Sequence, residues 1–442
     1  MPLKKFKDYN KCISYLFNLE RAGIKYDLNN ITSLLNYLGN PQDKYPTIHI
    51  AGTNGKGSVS SIINSVLTES GCKCGLYTSP HITDFRERIL INGKFISKDF
   101  IINTVNKLYR EIQKTGPSFF EVTTAIAFDY FRYMNVDVAV IETGLGGRLD
   151  STNIINPVLS VITAISIDHT EMLGKTVEKI TMEKGGIIKN NIPVVVGHIP
   201  LKSGKILKAI ADTKNSEITF IRNGKGFRIL NRNEKGFFFT EEGFKKRYFF
   251  PAPGDYQLKN ISVSAKALSV FGKSCNLKIS KNAFFKGLQN IKNNSGLKGR
   301  FEKISESPKI VSDISHNHQG ILNIQSNLKY FTYDKLYIIF SMMKDKHYKE
   351  CIREIGKLDA EIILTKTQYS RAATPEELYS TVMRYKKKFR IKKNVFESLE
   401  YVNGQAEKKD LVLITGSFFL VSEALEQLKK IDKTKKHINN KS

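Results

Sequence analysis

From residue 46 onward, short apolar runs rich in β-branched residues alternate with stretches whose apolar positions recur at the helical period. TIHI at 47–50 leads into a helical pattern over about 57–70, and VDVAVI at 136–141 and VLSVITAI at 158–165 read as further strands. Runs that are apolar throughout, separated by helices, predict βαβ units around a mostly parallel sheet. Two interruptions break the pattern. Asn92-Gly93, between RILI and KFIS, predicts a two-residue hairpin because a type I′ turn needs positive φ at both central positions. Residues 217–250 read as short antiparallel strands, a small β insert. After a helical stretch over about 256–290, IKNNSGLKGR at 291–300 reads as a domain linker, and KIVSDI, KLYIIFSMM, EIILTKT and LVLITGS then begin a second strand and helix series. The expected division is an α/β domain over 1–295, carrying the insert, and a smaller parallel α/β domain over 296–442.

Composition narrows the function classes. A chain of 442 residues, 41% hydrophobic and 25% charged, can bury more than one core and is neither a disordered tail nor a disulfide scaffold. The start, MPLKKFKDYN, lacks the apolar stretch of a secretory signal, and no window approaches a membrane span, so a cytoplasmic protein without membrane partners is expected. Five scattered cysteines, Cys12, Cys72, Cys74, Cys275 and Cys351, form neither a disulfide framework nor a zinc-ligand spacing. The net charge of +27 permits polyanionic partners, yet Lys, Asn and Ile are abundant everywhere and no segment concentrates the charge as a nucleic-acid surface would. The densest basic runs, 386–393 and 429–442, read as a solvated helix end and a frayed tail.

The chemistry starts at AGTNGKGS, residues 51–58, placed between a strand and a helix. Gly52, Thr53, Asn54, Gly55, Lys56, Gly57 and Ser58 can present backbone N–H groups, an ammonium and a hydroxyl to a phosphate at a helix N-terminus. The run departs from the strict G-x-x-x-x-G-K-[ST] pattern: Ile50 takes the first glycine position and Gly57 moves the hydroxyl to Ser58. Nucleotide binding is the expectation, against an ordinary glycine turn. Glu142 and His169 follow apolar strands and fall on the sheet edge where ligands collect. Carboxylate and imidazole are possible magnesium ligands there, imidazole the softer choice, whereas a histidine after a strand by itself suits a structural hydrogen bond. Lys184 beside Glu183 reads locally as a surface ion pair, and GLGGRLDSTN at 144–153 as a glycine-rich loop carrying both charge signs.

These segments together carry a resemblance. GTNGKGS, LYTSPHITDFRERI, FFEVTTAIAF, IETGLGGRLDSTN, SIDHTEMLG, MEKGGIIK, GDYQLKNISVSAKAL, GRFE, DISHN, MMKDKH and ITGSFFLVSEAL, in that order and over essentially the whole chain, resemble the folylpolyglutamate synthase and dihydrofolate synthase family of the Mur ligase superfamily. The resemblance implies a Mur-ligase-like ATP-binding domain and a Rossmann-like C-terminal domain. It implies ATP-dependent joining of L-glutamate to tetrahydrofolate through an acyl phosphate, with dihydropteroate as a further acceptor, one or two Mg2+ ions, and a monomer acting on small molecules. By the same resemblance Ser79 joins Glu142 and His169 as a metal ligand. Lys184 is carbamylated and holds a second ion, and Lys56, Lys184 and His316 are catalytic. Ser118, Phe119, Phe120, Glu121, Leu149, Asp150 and Ser151 border the pterin substrate, one of the two phenylalanines being a core residue. Asn260 serves the adenine edge, Arg300 a phosphate, and Asp313 the ribose, with His316 near the phosphates. The chain departs from the family pattern at Gly185 and Ser315, where alanine is usual, and at His347, where a carboxylate is usual. Alternatives are a peptidoglycan Mur ligase, against which the TSPH and FFE segments argue, and a nucleic-acid-binding NTPase, for which no recognition signature exists.

Overall fold

The computed structural model describes residues 5–19, 27–221, 226–383 and 388–439. The chain divides into two units, Met1–Phe227 with Lys259–Leu297, and Arg228–Leu258 with Lys298–Ser442. The first is built on eight strands: β1 (Thr47–Ala51), β2 (Cys74–Tyr77), β3 (Ile89–Ile91), β4 (Lys94–Phe95), β5 (Val138–Glu142), β6 (Leu159–Ala164), β7 (Val194–His198) and β8 (Ile218–Phe220). They lie in the order β4-β3-β2-β5-β1-β6-β7-β8, parallel from β2 through β8, with β3 and β4 antiparallel at one edge. Asn92 and Gly93 close the edge hairpin at φ 46° and 77°. β1, β5 and β6 are buried along their length, apart from a half-buried final residue in β6, as strands covered by helices on both faces must be.

One face packs Leu34, Leu35, Val122, Ile126, Phe128 and Phe131 from the helices Asn29–Leu38 and Phe119–Tyr133 onto the sheet. The other face holds Ile180, Ile187, Leu207 and Val196. The helix Lys56–Glu69 is buried from Gly57 to Leu67, and the helix Lys281–Gln289 meets it so closely that a Cβ on Gly287 would stand 2.6 Å from Val66 Cα.

The second unit contains an antiparallel sheet of β9 (Phe227–Asn233), β10 (Gly236–Glu241) and β11 (Tyr248–Phe250). It also contains a six-stranded sheet of β12 (Glu302–Glu306), β13 (Lys309–Asp313), β14 (Leu336–Phe340), β15 (Glu361–Leu364), β16 (Lys388–Ile391) and β17 (Leu411–Thr415). Their order is β12-β13-β17-β14-β15-β16, parallel except for β12. Its core is Val311, Ile338, Phe340, Ile352, Ile362 and Leu413.

Five expectations need correction. The β insert groups with the second unit rather than with residues 1–295. Residues 218–220 are not part of it: β8 pairs parallel with β7. The expected linker opens with a helix, Ile291–Ser295, within which Asn294 donates to Ser65 Oγ and Glu69 Oε1 at 3.1 and 2.9 Å; Ile291 and Ser295 are buried. The basic run from 388 is not a helix end but edge strand β16, where Lys388 and Arg390 discourage pairing with another chain; 386 and 387 lie outside the described residues. The helix Phe418–Asn439 also continues through most of the expected frayed tail.

Candidate active site

Parallel strands β2, β5, β1 and β6 end on one edge of the first sheet, so the segments that follow them meet there. After β1 the chain turns sharply at Gly55, φ 89°, and enters the helix Lys56–Glu69 with no side-chain cap. The first helical hydrogen bond is Val59 N–H to Gly55 O at 2.9 Å, so the N–H groups of Lys56, Gly57 and Ser58 lie ahead of it, pointing along the positive end of the helix dipole. β6 braces the loop. Thr53 N–H donates to Ala164 O at 2.7 Å, and Thr163 Oγ1 donates to Asn54 O at 2.8 Å. A Cβ on Gly52 would collide with the Thr163 hydroxyl, and one on Gly55 would stand 2.6 Å from Asn260 Oδ1. Asn260, expected at the adenine edge, is thus buried against the loop itself. Lys56 Nζ donates to Gly52 O at 3.0 Å and to Thr53 O at 3.4 Å, curled over its own loop.

Ser79 follows β2 and its backbone N–H reaches Glu142 Oε2 at 3.4 Å, so these two residues are neighbours. Glu142 ends β5, level with Ile50 of β1, and is buried. His169, past β6, has φ 50° and sits beside the buried Asp168, whose Oδ1 accepts the His169 N–H at 2.8 Å. Asp168 carried no signal in the sequence beyond adjacency to His169.

Lys184 is not on the surface. It is 4% exposed, its Nζ donates to Gly52 O at 2.9 Å, and Glu183 pairs instead with Arg148 at 2.9 Å. Two diglycines make this possible. A Cβ on Gly147 would stand 2.6 Å from Glu183 O, and one on Gly186 would run into Arg148, so the loop after β5 lies directly against the helix Val177–Gly185, whose Lys184 reaches the glycine loop after β1. At Gly185 the space of the usual alanine methyl is taken by Ile210 Cδ1, 2.6 Å from where a Cβ would be.

Among the expected substrate residues, Asp150 is buried, and both its oxygens accept hydrogen bonds: from Leu145 N–H at 2.7 Å, and from Thr152 N–H and hydroxyl at 3.0 and 2.5 Å. Burial raises its pKa despite these donors. Ser151 is buried and Leu149 half-buried in the same loop. Ser118 and Glu121 form a capping box at the start of the helix Phe119–Tyr133. Phe119 is the core residue of its pair. It stacks on Phe17 at 5.4 Å, meets Phe85 edge-on at 6.0 Å and lies under the Arg88 guanidinium at 5.1 Å, while Phe120 is half-buried against Tyr77 and Gly144. Arg88 Nε donates to His81 Nδ1 at 2.7 Å, which joins residues from three separated segments that sequence spacing could not connect.

Two histidines here are held neutral. Burial first, and Lys189 second, lower His49 to about 3; burial and then Arg88 lower His81 to about 3. A folded pKa below the unfolded value means that the unfolded chain takes up the extra protons, so stability is present above about pH 6.5 and is lost as pH falls toward 3. At pH 5 His49 alone accounts for about 2 kcal/mol of that loss. His49→Gln is expected to remove about this much from the fall in unfolding free energy between pH 7 and 5, measured in urea; an unchanged fall would contradict the assignment.

In the second unit Asp313 is buried, with its pKa raised by burial, and its oxygens accept from Phe301 N–H and Ser315 N–H, each at 2.9 Å. These bonds hold Phe301 at φ 51°, beside Arg300, whose charge acts on Asp313. His316 Nδ1 is 3.0 Å from Ile314 O. Asp345 pairs with Arg371 at 3.3 Å, and His347 stands at the start of the helix Tyr348–Gly356.

Residues 50–268 match the Mur ligase middle domain, and residues 299–418 match the Mur ligase, glutamate ligase domain. The Bacillus subtilis dihydrofolate synthase/folylpolyglutamate synthase is 31% identical over 96% of this chain and 100% of its own length. The Lacticaseibacillus casei folylpolyglutamate synthase is 32% identical over 95% and 99%. The crystal structure of Mycobacterium tuberculosis folylpolyglutamate synthase complexed with ADP and AMPPCP superposes with a TM-score of 0.83 at 27% identity, covering 95% of this chain and 99% of that one. No helix among the described residues is long and apolar enough to cross a membrane.

Proposed function

Because the chain belongs to the folylpolyglutamate synthase/dihydrofolate synthase family of Mur ligases, we propose that it joins L-glutamate to tetrahydrofolate at the expense of ATP, and to dihydropteroate as well. The observation that carries this reading is the gathering, at one sheet edge, of a lysine-bearing glycine loop, the carboxylate Glu142 and the buried Lys184 held to Gly52 O at 2.9 Å. Such a set neutralises and positions a transferring phosphoryl group, which phosphoryl transfer needs more than a protein nucleophile.

The loop N–H groups and Lys56 receive the phosphates. A substrate carboxylate oxygen attacks the γ-phosphorus, the bond from that phosphorus to the bridging oxygen breaks, and ADP leaves. The glutamate amine then attacks the carbonyl carbon of the acyl phosphate. A proton leaves the nitrogen, the carbon–oxygen bond breaks, and phosphate departs with the oxygen that began in the carboxylate. The donor set suits magnesium in part: the Ser79 hydroxyl and Glu142 carboxylate are hard oxygen donors on neighbouring residues, and His169 is a softer third. Bound there, the ion would supply charge neutralisation on the phosphoryl oxygens. Arg300, Asp313 and His316 bind the nucleotide, and carbamylation makes Lys184 an anionic group. The protein acts as a cytoplasmic monomer on small molecules.

The decisive assay follows ADP release from purified protein with Mg2+ and glutamate, offering in turn dihydropteroate, tetrahydrofolate, a UDP-muramoyl peptide and single-stranded RNA. Stimulation by the first two alone is expected; stimulation by the muramoyl peptide or by RNA would overturn the reading. Glu142→Gln and His169→Ala should each lower turnover and raise the magnesium concentration needed for half-maximal rate about tenfold or more. An unchanged magnesium titration in both variants would make these residues structural.

A further inference from the structure

Beside the helix end that carries Lys184, the first unit has an open cavity of about 540 Å3, bordered by Arg148, Asn156, Gly185, Lys189, Asn190 and Lys214. The volume is in the range of small-molecule sites. Among the described residues no carboxylate borders it. Glu183 neutralises Arg148, but no described acidic group pairs with Lys189 or Lys214. Burial first, and the charge of Lys214 second, lower the Lys189 pKa, while Lys189 Nζ is fixed by donating to Asn153 O at 2.8 Å. An unrelieved like-charge pair facing a cavity is relieved by an anion placed between them. The walls also offer two side-chain amides, and Met182 and Ile210 can cover methylene groups.

We propose that this cavity binds an anionic chain of carboxylates, of the kind an oligo-γ-glutamyl tail presents. The assignment of this ligand rests on the function proposed above, since a ligase that lengthens such tails is the protein that meets them. Amides and methylene-covering side chains between cations match alternating carboxylates, peptide groups and methylenes, whereas a compact phosphate would leave the apolar walls unused. The cavity borders Gly185 and Gly186 and none of the residues 51–58, Ser79, Glu142 or His169, so a tail seated here adds affinity only for substrates that already carry several glutamates.

The test measures binding of tri-γ-L-glutamate, a peptide without a pteridine, to the full-length protein by calorimetry, with tripolyphosphate as the competing anion. Lys214→Glu and Lys189→Gln are each expected to weaken peptide binding about fivefold or more. Lys214→Glu should raise KM for a tetraglutamyl folate while leaving kcat and KM for the monoglutamyl form within about twofold. Lys214 is exposed, so its variant decides the matter even where Lys189→Gln fails to fold. No peptide binding by the native protein, unchanged affinity in Lys214→Glu, or tighter binding of tripolyphosphate than of the peptide would overturn the proposal. Failure of the proposed enzymatic function would show differently, as peptide binding without ADP release on any folate.

Discussion

Lys56→Ala is expected to cut ligase turnover about a hundred- to a thousandfold while leaving the fold intact. In the structure this ammonium folds back onto Gly52 O and Thr53 O, 3.0 and 3.4 Å away, and touches nothing in the core. Its loss removes two hydrogen bonds on a partly solvated loop, about 1 kcal/mol of stability. The same charge beside a transferring phosphoryl is worth several times more, because it acts on charge that grows as the bond breaks. The kinetic effect should therefore far exceed the thermal one. Steady-state kinetics and a melting curve on the same preparation check this; full turnover with unchanged circular dichroism would remove the phosphate-loop assignment.

Lys184 carries the second large effect. Lys184→Ala should be nearly inactive and should regain part of its rate with millimolar acetate or formate, whereas Lys184→Arg should be inactive and beyond such rescue. An unmodified ammonium near Glu142 and a metal ion would repel the cation it is meant to help hold, and carbamylation reverses that sign. The residue is 4% exposed, so an arginine there brings a larger group with the wrong charge into a closed space. Normal turnover in Lys184→Arg would leave Lys184 as a brace for Gly52 O and nothing more. Mass spectrometry of protein prepared in labelled bicarbonate gives a second readout.

What could be read in the sequence was what is local. The strand–glycine turn–helix at 47–69 was legible because strand, glycines and helix are consecutive, and the hairpin at Asn92-Gly93 because two adjacent residues set it. Lys184 was misread from its neighbours because its burial depends on the contact of Gly147 and Gly186 with segments 30 to 40 residues away along the chain, which no local pattern reports. The cluster of Phe17, His81, Arg88 and Phe119 was illegible for the same reason. At 291–295 composition misled: Asn and Ser favour loops in isolation, yet here Asn294 is satisfied by Ser65 and Glu69, and tertiary hydrogen bonds outweigh weak propensity. Asp150 and Asp313 were expected at the substrate and the ribose, and their burial, with oxygens that already hold backbone N–H groups in place, was not legible.

The central claim, that ATP activates a substrate carboxylate for attack by glutamate, is tested most directly by following an oxygen atom. Dihydropteroate labelled with 18O in its carboxylate is incubated with the protein, ATP, Mg2+ and glutamate, and the released phosphate is analysed by mass spectrometry. The account predicts one labelled oxygen in phosphate for every amide bond formed, because the acyl phosphate breaks at the carbon–oxygen bond. Amide formation with unlabelled phosphate, or ADP release with no amide at all, would contradict it.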